Sequence, residues 1–149
     1  MALTDSGGGR TIVSHSGGVV LPQMPVKTGA TIKAGDLIHL GDAGGAVRAD
    51  RDAGAGPLFA HAVALNDATG GQSVCFIHDC IVKFPAGDGT RGAKVHASGT
   101  AGRYIESAPG VGDAKNPIGR VIDASAAAGD VYTLVSISCD PTGTSDATA

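Results

Sequence analysis

The chain has 149 residues and a formal net charge of −3, and its 24 glycines and 24 alanines stand beside only three Phe, two Tyr and no Trp. So few bulky side chains at so low a net charge indicate a turn-rich β domain with a thin core, which favours oligomerisation, rather than a disordered chain. The spread, slightly acidic charge argues against a nucleic-acid partner, and the lack of any run of about 18 apolar residues argues against a membrane span.

We also expect no signal peptide, because the first ten residues lack a basic segment followed by an apolar one. The three cysteines, Cys75, Cys80 and Cys139, lack zinc-ligand spacing, and an odd number is a poor disulfide framework. A reducing cytosol is therefore the expected setting of the folded chain.

Short apolar runs separated by glycine-containing turns follow one another along the chain. Residues 1–16 are predicted to form a flexible arm and residues 140–149 a disordered tail, because both are small and polar. Strands are predicted at residues 11–14, 19–21, 36–40, 60–65, 73–77, 81–84, 93–97, 103–106, 119–123 and 131–138. Residues 42–45 and 98–102 predict hairpin loops, and the alanine-rich residues 124–128 predict at most one helical turn. The pattern predicts one all-β domain over residues 17–139, a compact barrel or sandwich.

The predicted domain repeats itself. The stretch from residue 34 to 40 aligns with the stretch from 91 to 97 at an offset of 57 residues. Further along the offset becomes 58, where Val63 falls on Val121 and Gly71 on Gly129. Each half, about 26–80 and 83–138, carries the same order of turns and strands, which predicts two four-strand units formed by duplication.

No group of residues indicates an enzyme. His39 and His96 fall at equivalent places in the two halves, and we interpret both as structural or surface side chains without convergent metal or catalytic partners. Residues 78–80 (HDC) place a histidine beside a thiol, but adjacent strand residues point to opposite faces, so they are poor catalytic partners. Residues 50–52 (DRD) could bind a cation, although a solvated loop is the better interpretation. No catalytic residue, cofactor or metal is therefore predicted.

Three stretches carry a resemblance to a known family. They are residues 26–40 (VKTGATIKAGDLIHL), 60–74 (AHAVALNDATGGQSV) and 119–131 (GRVIDASAAAGDV). Over residues 24–138 the chain resembles the small capsid cement, or head decoration, proteins of tailed bacteriophages. It departs from that pattern at residues 91–94 (RGAK), where the first half has AGD, and at His61.

The resemblance implies a β-barrel or β-tulip body assembled as a homotrimer. Such trimers lie on the outside of the expanded head, at three-fold and quasi-three-fold positions, and contact several major capsid subunits. The implied location is the exterior of the virion, after synthesis in the cytoplasm of a host bacterium. The implied partners are the major capsid protein and other copies of the chain.

The N-terminal arm is the candidate partner-binding segment. Thr11, Ile12, Val13 and Ser14 form a short β-prone run, and we predict that they add a strand to an exposed sheet edge of a neighbour.

Two other function classes remain open. One is a sugar- or receptor-binding β-module on a virion or cell surface, and the other is a small carrier-type barrel associated with an enzyme. The carrier-type barrel needs a modified lysine at a hairpin tip, and no lysine of this sequence lies in such a motif.

Overall fold

The computed structural model describes residues 11–15, 22–84, 89–115, 117–124 and 131–137, and in these ranges the chain forms strands and turns. The predicted all-β class is confirmed. Within these ranges the chain contains no helix of the length and apolarity that crossing a membrane requires. The strands are β1 (Thr11–His15), β2 (Gln23–Pro25), β3 (Thr31–Ile32), β4 (Leu37–His39), β5 (Val47–Arg48), β6 (Ala62–Ala64), β7 (Ala68–Thr69), β8 (Ser73–Ile77), β9 (Asp79–Phe84), β10 (Lys94–Ala97), β11 (Tyr104–Ile105), β12 (Gly119–Ala124) and β13 (Val131–Ser136).

The strands form two antiparallel sheets and a small third one. The first sheet has the order β2-β8-β6-β4-β5, the second sheet has the order β1-β9-β13-β12-β10-β11, and β3 pairs with β7. The predicted loops at 42–45 and 98–102 connect the hairpins β4–β5 and β10–β11. The first sheet is thus built from one continuous stretch of chain, while the second takes β1 from before that stretch.

The main core contains side chains from both sheets, among them Val63 of β6, Phe84 of β9 and Tyr104 of β11. A smaller core lies on the other face of the first sheet, where Ile38 packs with Ile32 and with several alanines. Successive strand residues point to opposite faces, so the first sheet is buried on both sides. The alanines let the β3–β7 pair lie close to it, which explains why a chain with few bulky residues still packs.

Hydrogen bonds of the second hairpin join the two sheets. The Leu37 amide donates to the Gly102 carbonyl at 3.0 Å, and the Gly102 amide donates to the Ala49 carbonyl at 2.8 Å. Gly102 has φ +79°, a conformation in which glycine is favoured. The tip of the β10–β11 hairpin is therefore fixed between β4 and β5 of the first sheet.

Most of the predicted strands agree with the structure, and the differences are local. Every predicted strand that falls on described residues overlaps an observed one, and residues 73–77 coincide with β8. Strands β2, β3, β5 and β7 lie outside the predicted strand segments. Residues 11–15 of the predicted arm form β1, within the second sheet. The predictions for residues 1–10, 19–21, 125–128 and 140–149 lie outside the described residues.

Candidate interaction sites

Strand β1 carries the four residues that were predicted to bind a partner. It pairs antiparallel with β9 of the same chain, with Thr11 opposite Lys83 and Ile12 opposite Val82. The register shifts between Ile12 and Ser14, so a bulge lies at Val13. Ile12 is partly buried against the main core. The structure therefore gives one edge of this strand a partner in its own sheet, and no strand within the described ranges pairs with the other edge.

The outer face of the second sheet is a second candidate for protein contact. Ile122 of β12 is 44% exposed there. Ile81 and Tyr132 of the neighbouring strands are half-buried, since the side chains that alternate with them face the core. Arg120 and Lys83 add positive charge to the same face. An apolar centre with a charged rim is typical of an interaction surface.

Residues 50–52 contact the neighbouring loop around residues 107–113. Arg51 donates from a guanidinium nitrogen to the Ser107 carbonyl at 3.0 Å, and its Nε lies 3.5 Å from Asp113 Oδ2. Burial raises the pKa of Asp50, and its hydrogen bond with the Asp52 carboxyl raises it further. Asp113 accepts the Gly110 amide at 2.7 Å. The segment thereby fixes the 110–113 turn.

That turn displays the most exposed large apolar side chain of the described residues. Val111 lies at its tip and is 72% exposed. Because the turn is tied by the Gly110–Asp113 contacts, the side chain is presented with little freedom left to lose on binding.

A pocket of about 310 Å³ opens at the end of the first sheet. It is mostly apolar and carries two imidazoles at its wall; its lining includes Pro22, Leu40, Gly41, His61, Phe76 and His78. His39 lies behind this wall, with its ring centroid 4.7 Å from that of His61. Sequence reasoning missed both the pocket and this histidine pair. The signal was available only through the β4–β6 register, in which Leu37 faces Val63 and Ile38 faces Ala62, so that His39 comes next to His61.

The thiol of residues 78–80 has no catalytic setting. Cys80 is 4% exposed, and burial, with a smaller contribution from the Asp79 charge, raises its pKa to about 12. His78 Nε2 lies 3.2 Å from Asp79 Oδ2 on the exposed side of the strand. His78 lies between β8 and β9 and belongs to neither strand, so strand alternation does not separate it from Asp79. The buried thiol is protonated and inert at neutral pH.

The other sequence candidates are placed within the sheets. His39 is half-buried on β4, while His96 is buried on β10. Among the residues that the structure describes, no group of three or more His, Cys, Asp or Glu side chains could hold a metal ion. No model of a known protein family matches the chain, and no curated protein matches it.

Proposed function

We propose that this chain is a non-enzymatic structural protein that binds the outer surface of an expanded tailed-bacteriophage head and cements neighbouring major capsid subunits. In this proposal it acts as a homotrimer at three-fold and quasi-three-fold positions, on the exterior of the virion. The starting point is the resemblance of residues 24–138 to capsid cement proteins, in which one pattern of turn and strand recurs.

The observation that carries the proposal is a correspondence between the two sheets. The five strands β2-β8-β6-β4-β5 have the same relative order as β9-β13-β12-β10-β11. Gly35 donates its amide to the Ala64 carbonyl at 2.8 Å, and 57 residues later Gly92 donates to Val121 at 2.7 Å. In this pair of hydrogen bonds Ala64 corresponds to Val121, whereas the sequence alignment placed the preceding residue, Val63, on Val121. The correspondence supports an origin of the two halves by duplication, as the recurring pattern of the family implies.

The finer architecture belongs to the same proposal. We infer that the two sheets form one barrel or β-tulip body, since they share the main core and are joined through Gly102. The bridge between Leu37 and Gly102 supports closure along one side of such a body.

A trimer explains how weak contacts can hold a capsid. Three copies of each surface patch are related by symmetry, so the second and third contacts form intramolecularly after the first. Avidity then exceeds single-site affinity by roughly 10²–10⁴. Binding only to the expanded lattice stabilises that lattice by mass action.

Sedimentation with capsids tests the proposal directly. The full chain is mixed at micromolar concentration with empty expanded heads and with compact precursor shells, both assembled from the major capsid protein of the same genome. We expect the chain to sediment with expanded heads alone, and light scattering of the free or released protein to include a species near three times 14.6 kDa. Failure to bind expanded heads would overturn the proposal.

Single substitutions then distinguish the candidate contacts. Val13→Lys places a charge in the edge strand, Ile122→Lys places one on the outer face of the second sheet, and Val111→Lys places one on the turn tip. A contact surface is identified by a loss of head binding with unchanged far-UV circular dichroism. Equal binding by all three variants excludes all three surfaces.

The pocket favours one alternative, a sugar- or receptor-binding module. It combines the aromatic ring of Phe76 with the polar edges of His61 and His78. Binding of the purified chain to a glycan array, abolished by Phe76→Ala, supports this alternative, whereas an array without signal excludes the glycans tested.

A further inference from the structure

The imidazoles of His39 and His61 pack against each other, with His61 at the wall of the pocket and His39 behind it. His39 ends β4, and His61 directly precedes β6, which pairs with β4. Their ring centroids are 4.7 Å apart and the ring planes are inclined by 40°. At this distance, a charge on one ring raises the free energy of placing a second charge on the other.

Hydrogen bonds determine the tautomer of each ring. His39 Nδ1 lies 2.9 Å from the Phe59 carbonyl oxygen, which can only accept, so Nδ1 carries the proton. The Leu40 amide donates to His61 Nδ1 at 3.0 Å, so this nitrogen carries the lone pair and the proton is on Nε2. The two neutral rings are therefore held in opposite tautomers.

Protonation of the neutral imidazole to the cation has different consequences for His39 and for His61. His39 takes it at Nε2 and keeps its bond to Phe59. His61 can take it only at Nδ1, where an N–H would then face the N–H of Leu40. Protonation of His61 thus removes the acceptor of a backbone amide, and with His39 charged it also places two cations side by side. The same bond opposes metal binding by His61, because ligation through Nε2 needs the proton on Nδ1.

The segment held by this bond is part of the pocket. Leu40, Gly41 and His61 all line it. A Cβ built at Gly41 would lie 2.9 Å from His39 Nε2, so the ring packs directly on the backbone of that residue. We propose that neutral His61 holds the Leu40–Gly41 wall of the pocket in place and that its protonation releases this wall, so that the pocket changes shape between neutral and mildly acidic pH.

The charged groups placed near the pair have partners of their own. Asp42 follows the wall and interacts with the charge of His39, and its carboxylate accepts a hydrogen bond from Lys27 at 3.0 Å. On the other side of the pocket His78 is paired with Asp79. Val47 of β5 lies opposite His39, and Ala62, Phe76 and Ile77 line the pocket; these four side chains are uncharged.

Amide hydrogen exchange in the full chain tests the inference, independently of any capsid partner. The protection factor of the Leu40 amide, corrected for intrinsic exchange, is compared at about pH 7.5 and about pH 5, on either side of the usual histidine range. We expect a loss of about tenfold or more at the lower pH in the unmodified chain. His61→Asn keeps an acceptor near the Nδ1 position without titrating, so its Leu40 protection is expected to stay constant. His78→Asn is the matched control and is expected to behave as the unmodified chain.

Two results would overturn the inference. One is an unchanged Leu40 protection factor across this pH range, and the other is an equal loss in His61→Asn. Imidazole ¹⁵N shifts of the unmodified chain give a measurement that does not depend on the variant's folding. A proton on His61 Nδ1 at about pH 7.5 contradicts the assigned tautomer and with it the inference.

Discussion

Two turns of the same backbone shape occupy different surroundings in this molecule. The first turn is residues 33–36 and the second turn is residues 90–93. Gly35 has φ +87° and Gly92 has φ +83°, and each turn closes with an amide-to-carbonyl bond of 3.0 or 2.9 Å across four residues. The first turn is buried at Asp36, which is 2% exposed, while the second turn faces solvent at Arg91 and Gly92.

The two turns satisfy the same backbone groups with different side chains. The Lys33 amide donates to the Asp36 carboxylate within the first turn at 2.8 Å, whereas the Thr90 amide donates to Glu106 from the end of β11, also at 2.8 Å. In the second turn Glu106 thus does for the Thr90 amide what Asp36 does for the Lys33 amide in the first turn. The location of a turn, more than its shape, decides which side chain completes it.

The carbonyl groups of Gly35 and Gly92 also have different partners, one buried and one at the surface. Gly35 accepts a hydrogen bond from the buried Tyr104 hydroxyl at 2.8 Å, and Gly92 accepts one from the Arg120 guanidinium at 2.8 Å. The first turn is thus tied to the second hairpin, and the second turn to a surface arginine of its own sheet.

Removal of the buried carboxylate is expected to have the largest effect. Asp36 also pairs with Arg48 Nε at 2.8 Å, so Asp36→Ala leaves a partly buried guanidinium and the Lys33 amide without this acceptor. We expect a loss of about 3 kcal/mol in the free energy of unfolding, measured by urea denaturation. Asp36→Asn keeps one oxygen and should lose less. A loss of under about 1 kcal/mol in the alanine variant would contradict the role of this carboxylate.

Alanine substitutions at two glycines distinguish the cost of an unfavourable backbone conformation from the cost of steric crowding. Gly92 and Gly102 have φ of +83° and +79°, but a Cβ at Gly92 meets nothing within 4 Å, while one at Gly102 lies 3.0 Å from Asp36 Cγ. We expect Gly92→Ala to cost about 1 kcal/mol and Gly102→Ala about 2–3 kcal/mol, from thermal and urea unfolding. Equal losses would show that the close approach of the hairpin tip contributes nothing.

The Tyr104 hydroxyl, which joins the second hairpin to the first turn, has a smaller expected effect. Tyr104→Phe keeps the ring packed edge-on against Phe84 and removes the hydroxyl that donates to the Gly35 carbonyl. The expected loss in the free energy of unfolding is about 1–2 kcal/mol, because the buried Gly35 carbonyl loses this donor. A double-mutant cycle with Phe84→Leu checks that ring packing is unaffected; coupling between the two substitutions would argue against this interpretation.

The smallest effect is expected at the exposed turn. Glu106→Ala removes the acceptor of the Thr90 amide, which water can replace, so we expect about 0.5 kcal/mol or less in the same unfolding measurement. A loss at Glu106 comparable to that of Asp36→Ala would remove the distinction between the two turns.

The strands that could be predicted are those whose own residues specify them. The alternation in β9 and β13 and the glycine turns around β10 are local signals, and these elements agree with the prediction. Strands β3 and β7 have two residues each and pair with one another, with Thr31 opposite Thr69, so only the partner reveals them. Strand β2 contains Pro25, which normally argues against a strand and is accommodated here at the sheet edge.

The candidate sites follow the same rule. The burial of Cys80 and the loop role of residues 50–52 were accessible from strand alternation and turn chemistry. The pairing of β1 with β9 and the contact of His39 with His61 depend on register between distant segments, which one sequence does not specify.

The order of the strands along the chain also bears on how the protein folds. Thr11 pairs with Lys83, 72 positions later, which would ordinarily make β1 a slow element to pair. All strands of the first sheet lie between these two, and within that sheet the Phe76 amide donates to the Pro22 carbonyl at 3.1 Å. Once the first sheet has formed, residues 15 and 79 are linked through only a few residues on each side of this bond. The first sheet thereby shortens the loop that the pairing of β1 with β9 must close. It lowers the entropic cost of this pairing before strands β10 to β13 have been made.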